Sequence, residues 1–275
     1  MSAPIRVAVA GAAGRMGRAV IEALRNDTGL ALGAAIERPA TASVGSDAGL
    51  LAGGEGLGIP IRDDLRACLG AFDVLIDFSS PAATLAHVAI GAESGKRMVI
   101  GTTGIGQDGR EAIAAAARRC AIMMAPNMSV GVNLCFKLLE IAARVLGPDY
   151  DVEVIEAHHG HKADAPSGTA LRMGEVVAQA LGYELDQCAI YARQGQTGPR
   201  PPHSIGFASV RAGDIVGEHM VMFAGPGERI ELSHKASHRT VFALGALRAA
   251  HWLMRQPHGL FDMQDVLGIK SVGRP

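Results

Sequence analysis

Ile5-Arg6-Val7-Ala8-Val9-Ala10 runs directly into Gly11-Ala12-Ala13-Gly14-Arg15-Met16-Gly17, and the reading of this stretch decides the fold. A short β-rich run, a glycine loop and then a helical pattern form the strand-turn-helix opening of a βαβ unit. In that setting backbone N–H groups and a helix N-terminus can approach a pyrophosphate. Met16, Val20 and Leu24 are spaced by four, so they share one side of the helix. The spacing is G-x-x-G-x-x-G, a departure from the commoner G-x-G-x-x-G, and taken alone it also suits an ordinary Gly-rich turn. Glu37 narrows the choice, because it ends the next strand about 20 residues after Gly17, where an acid accepts hydrogen bonds from ribose hydroxyls. Arg38 follows it and can meet a 2′-phosphate, so the pair argues against strict discrimination between NAD and NADP.

Outward from this opening, β-rich runs alternate with Ala-rich stretches up to about residue 130: Ile5–Ala10, Leu30–Ile36, Asp73–Phe78, Arg97–Ile100 and Ala121–Met124. This alternation predicts an α/β fold with a Rossmann-like, doubly wound parallel sheet. Ligands of such sheets bind at the carboxyl ends of the strands, so Phe78-Ser79-Ser80-Pro81, Gly101-Thr102-Thr103-Gly104 and Ala125-Pro126-Asn127-Met128 are expected beside Gly11 and Glu37. A longer helix follows, with Val132, Phe136, Leu139, Ala143 and Leu146 on one face and Lys137, Glu140 and Arg144 on another. From Tyr150 the rhythm changes to one helix after Ser167 and strands near Ala189–Ala192, Ser204–Arg211, Ile215–Phe223 and Arg229–Leu232, a second, α+β mixed-sheet domain. Ala212-Gly213-Asp214 suits a hairpin, and Pro226-Gly227 a type II turn. A final helical pattern, about Ser237 to Met254, is expected to return to the first domain. The division is then 1–130 with 238–275, and 131–237.

Composition limits the partners. The 275 residues are 48 % hydrophobic and 19 % charged, which suits one large or two ordinary folded domains and excludes global disorder. Lys and Arg total 26 against 27 Asp and Glu, a net charge of -1 without the basic excess that nucleic-acid binding requires. No leader pattern opens the chain, and charges such as Arg118, Arg119 and Lys137 interrupt every candidate for the ~18 apolar residues of a membrane span. Cys68, Cys120, Cys135 and Cys188 form no C-x-x-C pair, so neither zinc nor a disulfide framework is expected and a reducing cytoplasm fits.

The densest polar cluster is Glu156-Ala157-His158-His159-Gly160-His161-Lys162-Ala163-Asp164-Ala165-Pro166-Ser167-Gly168-Thr169. Its imidazoles and amine can supply acid, base and anion-binding functions, although a solvated surface loop is the plainer alternative. It lacks H-E-x-x-H or cysteine partners, so no metal site is expected. Ser167 is expected to cap a helix burying Leu171, Gly174, Ala178 and Leu181, and the N–H groups near Gly168 and Thr169 would then receive a carboxylate.

E-A-H-H-G-H-K-A-D-A-P-S-G-T-A, residues 156–170, resembles the signature of the 4-hydroxy-tetrahydrodipicolinate (dihydrodipicolinate) reductase family. V-A-V-A-G-A-A-G-R-M-G, V-I-G-T-T-G, A-P-N-M-S-V-G-V-N, G-F-A-S-V-R-A-G-D-I-V-G-E-H and G-L-F-D-M-Q-D-V-L extend the resemblance over nearly the whole chain. It implies a nucleotide domain made from both ends of the chain, a central substrate and oligomerisation domain, and a homotetramer assembled through the central sheets. It also implies reduction of a cyclic unsaturated dicarboxylate by NADH or NADPH, on the diaminopimelate route to lysine. By position it assigns Gly11, Ala12, Ala13, Gly14, Arg15, Met16, Glu37, Arg38, Gly101, Thr102, Thr103, Ala125, Pro126, Asn127 and Met128 to the cofactor. His158 and Lys162 fall on proton-transfer positions, and His159, Gly168 and Thr169 on substrate positions; the variable place between the histidines holds Gly160. Lys162 is the first choice of general acid, because a lysine amine is protonated at neutral pH and also attracts a carboxylate, with His158 assisting. Two rivals share the nucleotide fold: a dehydrogenase acting on a substrate such as aspartate, and a redox sensor that binds the dinucleotide without turnover. Neither needs the cluster from His158 to Thr169.

Overall fold

The computed structural model describes residues 3–271. In chain order its strands and α-helices are β1 (Ile5–Ala10), α1 (Arg15–Leu24), β2 (Leu30–Ile36), α2 (Ala48–Leu51), β3 (Ile61–Arg62), β4 (Val74–Asp77), α3 (Pro81–Ser94), β5 (Arg97–Ile100), α4 (Gln107–Ala116), β6 (Ala121–Met124) and α5 (Val130–Leu146). There follow β7 (Asp151–His158), α6 (Gly168–Leu181), α7 (Leu185–Cys188), β8 (Ala189–Ile190), β9 (Ile205–Arg211), β10 (Gly217–Gly225), β11 (Glu228–Ala236), α8 (Thr240–Leu253), β12 (Gly259–Phe261) and α9 (Met263–Leu267). The chain divides into two compact units, residues 1–130 with 239–268, and 131–238 with 269–275; residues 272–275 lie outside the described part. Among the described residues no helix is long and apolar enough to cross a membrane.

The first unit is a seven-stranded parallel sheet in the order β12-β6-β5-β4-β1-β2-β3. Its strands read as continuous apolar runs because both faces are covered. Val7 and Val9 pack into one core with α1 and α8, whereas Ala8 and Ala10 join the other with Leu75, Met98, Ile100 and Ile122. Val20 and Leu24 of α1 are buried and Met16 partly so. The return of α8 depends on Gly245, where a Cβ would stand 1.8 Å from the Met128 carbonyl oxygen. Phe78 leaves the strand expected over Asp73–Phe78, which keeps only Val74–Asp77.

The second unit has a five-stranded sheet in the order β11-β10-β7-β9-β8, with α5 and α6 contributing to one shared core. Its centre is β7, which the sequence reading does not separate out. The inward positions of β7 are Val152, Val154, Glu156 and His158, and two polar residues at the end of this series spoil the apolar alternation. The presence of β7 also corrects the expected hairpin at Ala212-Gly213-Asp214. β9 pairs in parallel with β7 while β10 pairs antiparallel with its other edge, so this turn spans a strand instead of joining neighbours. The Pro226-Gly227 turn does join paired strands, with Gly225 opposite Glu228.

On α6 Gly174 and Ala178 are buried as expected, together with Ala170, Met173, Val176 and Val177, and Leu171 and Leu181 pack half-buried against the same core. Its cap, Ser167, is held inward by Glu156 and His219. One expected face does change. Lys137, expected on the polar face of α5, is only 1 % exposed. Its Nζ donates to Glu140 Oε2 at 2.9 Å and to the Lys270 carbonyl at 3.3 Å, which satisfies the ammonium. The same contact ties the segment from Ile269 to α5, explaining why it belongs to the second unit.

Candidate active site

In the first unit the glycine loop leaves β1 at the point where the sheet reverses its order, between β1 and β4. Gly11 has φ +75°, and a Cβ there would stand 2.5 Å from the Phe78 carbonyl oxygen; one on Gly17 would stand 2.1 Å from the Gly11 oxygen. Both positions therefore demand glycine on steric grounds. The loop is pinned to the neighbouring strand, since the Gly11 and Ala12 amides donate to the Ile36 carbonyl at 2.9 and 3.0 Å. The amides of Arg15, Met16 and Gly17 form the first turn of α1, where no intrahelical acceptor exists for them.

Glu37 faces this loop. Its Oε2 accepts from the Ala13 amide and its Oε1 from the Arg38 amide, each at 3.0 Å. A carboxylate has about four acceptor sites, so capacity remains for a ligand hydroxyl. The Arg38 guanidinium is exposed and makes no ion pair among the described residues. A cavity of about 760 Å³ brings Gly11, Ala13, Gly14, Glu37 and Arg38 together with Phe78, Ser79 and His87. The glycine cradle, the start of α1 beside it and the acid at the end of β2 fit a dinucleotide.

The other expected cofactor loops leave the same edge of the sheet but do not line this cavity. Thr102 turns inward: its Oγ1 accepts from the Ser79 amide at 3.2 Å and from Thr84 Oγ1 at 2.8 Å. That network encloses the fully buried Asp77, whose Oδ2 lies 2.8 Å from His87 Nδ1. Gly101 gives room to the Phe78 ring. Ala125 and Met128 are buried, and Asn127 Oδ1 accepts from the Ser129 amide at 2.9 Å. Ala12 is buried, and Arg15 and Met16 lie off the cavity wall.

In the second unit β7 delivers His158 at its last residue, and the His-rich run leaves as a loop. The 212–215 turn holds this loop, because the His159 amide donates to the Ile215 carbonyl at 2.8 Å and the Gly160 amide to Gly213 at 3.2 Å. Lys162 Nζ reaches both oxygens of Asp164, at 2.8 and 2.9 Å. Ser167 caps α6 as expected, its Oγ accepting from the Ala170 amide at 3.1 Å. Gly168 and Thr169 form the first turn beyond it. His159 is partly buried, its ring 6.3 Å from that of His161.

Three side chains from separate strands complete the cluster, and the sequence reading names none of them as functional. Glu156, beneath the loop, accepts His158 Nδ1 at 2.6 Å and the two ends of Arg211 at 2.7 and 2.8 Å. It also receives the Ser167 amide at 3.2 Å. Burial works against its charge, but hydrogen bonds from Arg211, His158 and Ser209 prevail and bring its pKa down to about 2. Arg211 further donates to the Asp164 carbonyl at 2.7 Å. His219 on β10 lies 2.8 Å from Ser167 Oγ, and its ring meets that of His158 edge to face at 5.1 Å. Burial, and then the charge of His158, lower its pKa to about 4. The sequence did carry hints: Glu156 opens the His-rich run, Arg211 and His219 fall inside the resembling stretch 206–219, and Glu156 and His158, two apart on one strand, share a face. Among the described residues no His, Cys, Asp or Glu group is arranged to hold a metal ion.

Residues 5–128 match the family described as dihydrodipicolinate reductase, N-terminus, and residues 131–267 the one described as dihydrodipicolinate reductase, C-terminus. The 4-hydroxy-tetrahydrodipicolinate reductase of Cupriavidus metallidurans is 59 % identical over 266 residues, covering 97 % of this chain and 100 % of that protein. The enzyme of the same name from Methylococcus capsulatus is 59 % identical over 267 residues, 97 % of this chain and 99 % of that protein. The fold is similar to that of a dipicolinate-bound dihydrodipicolinate reductase from Paenisporosarcina sp. TG-14, with TM-score 0.74 at 24 % identity over 96 % of this chain and 99 % of that one. Matched along both halves and by relatives covered over their whole length, the chain belongs to the dihydrodipicolinate reductase family.

Proposed function

We propose that the protein reduces 4-hydroxy-tetrahydrodipicolinate, a cyclic dicarboxylate, to tetrahydrodipicolinate at the expense of NADH or NADPH, in the cytoplasm and on the diaminopimelate route to lysine. The observation that carries this reading is the loop from His158 to Thr169, with its amine, imidazoles and capped helix, in a chain matched along its length by reductases of that name. When bound, the reduced nicotinamide supplies the hydride. Gly11 to Met16 would hold the pyrophosphate, Glu37 the ribose hydroxyls and Arg38 a 2′-phosphate. Gly101 to Thr103 and Ala125 to Met128 complete the cofactor residues.

Gly168, Thr169 and His159 hold the substrate. Lys162 is the proton donor and His158 assists it. The ion pair between Lys162 and Asp164 does not oppose this role. Asp164 is 64 % exposed and can turn out into solvent, so a substrate carboxylate can take its place at the amine. The net change adds a hydride and a proton and releases water. The decisive experiment generates the unstable substrate enzymatically and follows loss of reduced-cofactor absorbance. Consumption that depends on that substrate is expected, and its absence with both cofactors overturns the reading.

A homotetramer is part of the same proposal. The sheet face opposite the core of the second unit carries the half-buried Ile155, Ala157, Met220 and Met222 with the exposed Val210, an apolar strip flanked by Glu153 and Glu218. Other copies of the chain are the expected cover. Sedimentation at micromolar concentration is expected to find about four chains in one particle, and a stable monomer there overturns the assembly.

A further inference from the structure

Hydrogen bonds from three parts of the chain meet on one carboxylate, Glu156, that is only 2 % exposed. His158 lies on the same strand, Arg211 on β9 and Ser167 at the start of α6. An ionised carboxylate can only accept hydrogen bonds. The His158 nitrogen facing it, Nδ1, therefore carries a proton whether the ring is neutral or charged, and Nε2 is the nitrogen left to exchange one. The same group holds the amide of Ser167, the residue next to Gly168 and Thr169, while Arg211 passes from Glu156 to the carbonyl of Asp164, the partner of Lys162.

Resting on the reductase reading, we propose that Glu156 is a positioning residue: it locks His158 in its Nδ1–H form and sets the loop that joins the proton-transfer groups to the carboxylate receptor. It acts through His158, Arg211 and Ser167. The other titratable groups around the pair are consistent with this role. His219, from β10, stays neutral at pH 7 because burial brings its pKa to about 4, so it brings no charge to compete for Glu156. His234 from β11 and Lys162 from the loop act on His219, and Asp164 is occupied by Lys162.

The test is Glu156→Gln, which keeps the size, removes the charge and turns one acceptor into a donor. Turnover is expected to fall about 10²-fold, the lower end of what a positioned acid-base group contributes, with dinucleotide Kd unchanged. The double variant Glu156→Gln, His158→Gln is expected to turn over like His158→Gln alone. A lower melting temperature with turnover unchanged, or a double variant whose two losses multiply, overturns the proposal, since a purely structural carboxylate behaves so. If Glu156→Gln does not fold, ¹⁵N spectra of the histidine-labelled parent protein decide, with His158→Gln for assignment. A neutral His158 protonated on Nδ1 supports the proposal, and one protonated on Nε2 overturns it. A parent that leaves reduced cofactor unconsumed sinks the reductase reading instead, and the nitrogen spectrum still tests Glu156.

Discussion

Backbone makes the cradle of the first unit: glycines whose missing side chains admit neighbouring backbone, amides of a helix start, and one acid, Glu37, held by two further amides. Side chains make the cluster of the second unit: Glu156, His158, Arg211, His219 and Ser167 bond to one another across three strands and a helix cap. The two sites therefore differ in how they fail. A backbone cradle is broken by adding atoms, because space is its working part. A side-chain network is broken by removing a charge or a donor, because the partners left behind are buried or half-buried.

The largest test of this contrast is Lys162→Ala, expected to lower turnover by roughly 10² to 10⁴-fold while dinucleotide affinity holds. Lys162→Arg keeps the positive charge but is a poor proton donor at neutral pH. Turnover restored by Arg would reassign the residue to charge pairing and pass the proton to His158 or water.

Acid sharpens the comparison next, because the two strongly displaced groups both belong to the second unit. Glu156, with an ordinary value of 4.5 and a folded value of about 2, contributes stability that is present above pH 4.5 and is lost as pH falls through 2; the amount is about 3 kcal/mol. His219 adds a loss at higher pH. Between 6.5 and about 4 the unfolded chain binds a proton that the folded ring refuses, so stability falls as pH drops through that window. Urea midpoints measured across pH should flatten between 6.5 and 4 in His219→Gln. An unchanged slope would show that His219 does not titrate as its burial implies.

Gly17→Ala carries the comparison back to the first unit. Its Cβ would collide with loop backbone, and overpacking of this kind costs about 1–3 kcal/mol. Calorimetry should show a lower melting temperature and fluorescence titration a weaker dinucleotide complex. A variant that binds NADH like the parent would mean the loop can move aside. Smallest is Arg38→Ala, expected to weaken NADPH about tenfold and leave NADH nearly unchanged, as the loss of one charge-assisted hydrogen bond predicts. Steady-state kinetics with each cofactor check it, and equal losses for both would remove Arg38 from 2′-phosphate recognition.

The same contrast explains what was legible beforehand. Four of the five strands expected in the first unit have the expected bounds, because a parallel sheet covered on both faces leaves unbroken apolar runs. The glycine loop was equally plain, since its requirement is local. In the second unit β7 escaped notice because Glu156 and His158 occupy inward positions that apolar alternation reserves for core residues. Missing it turned Ala212-Gly213-Asp214 into a hairpin, when that segment instead receives the amides of the His-rich loop. Lys137 was misplaced for a related reason: helical spacing puts a lysine outside unless a distant carbonyl, here that of Lys270, satisfies it.

The sequence by itself determined the class of sheet, the place of the glycine cradle, the cap at Ser167 and the presence of a histidine-rich loop before it, because each depends on residues within one turn or one strand. Tertiary structure alone decided which groups hold them. Arg211 and His219 lie 55 and 52 residues from Glu156 and Ser167, and strand pairing across β7 brings them together. A hydrogen bond extends only about 3 Å, so no local pattern of residues records which distant partner will complete a buried charge.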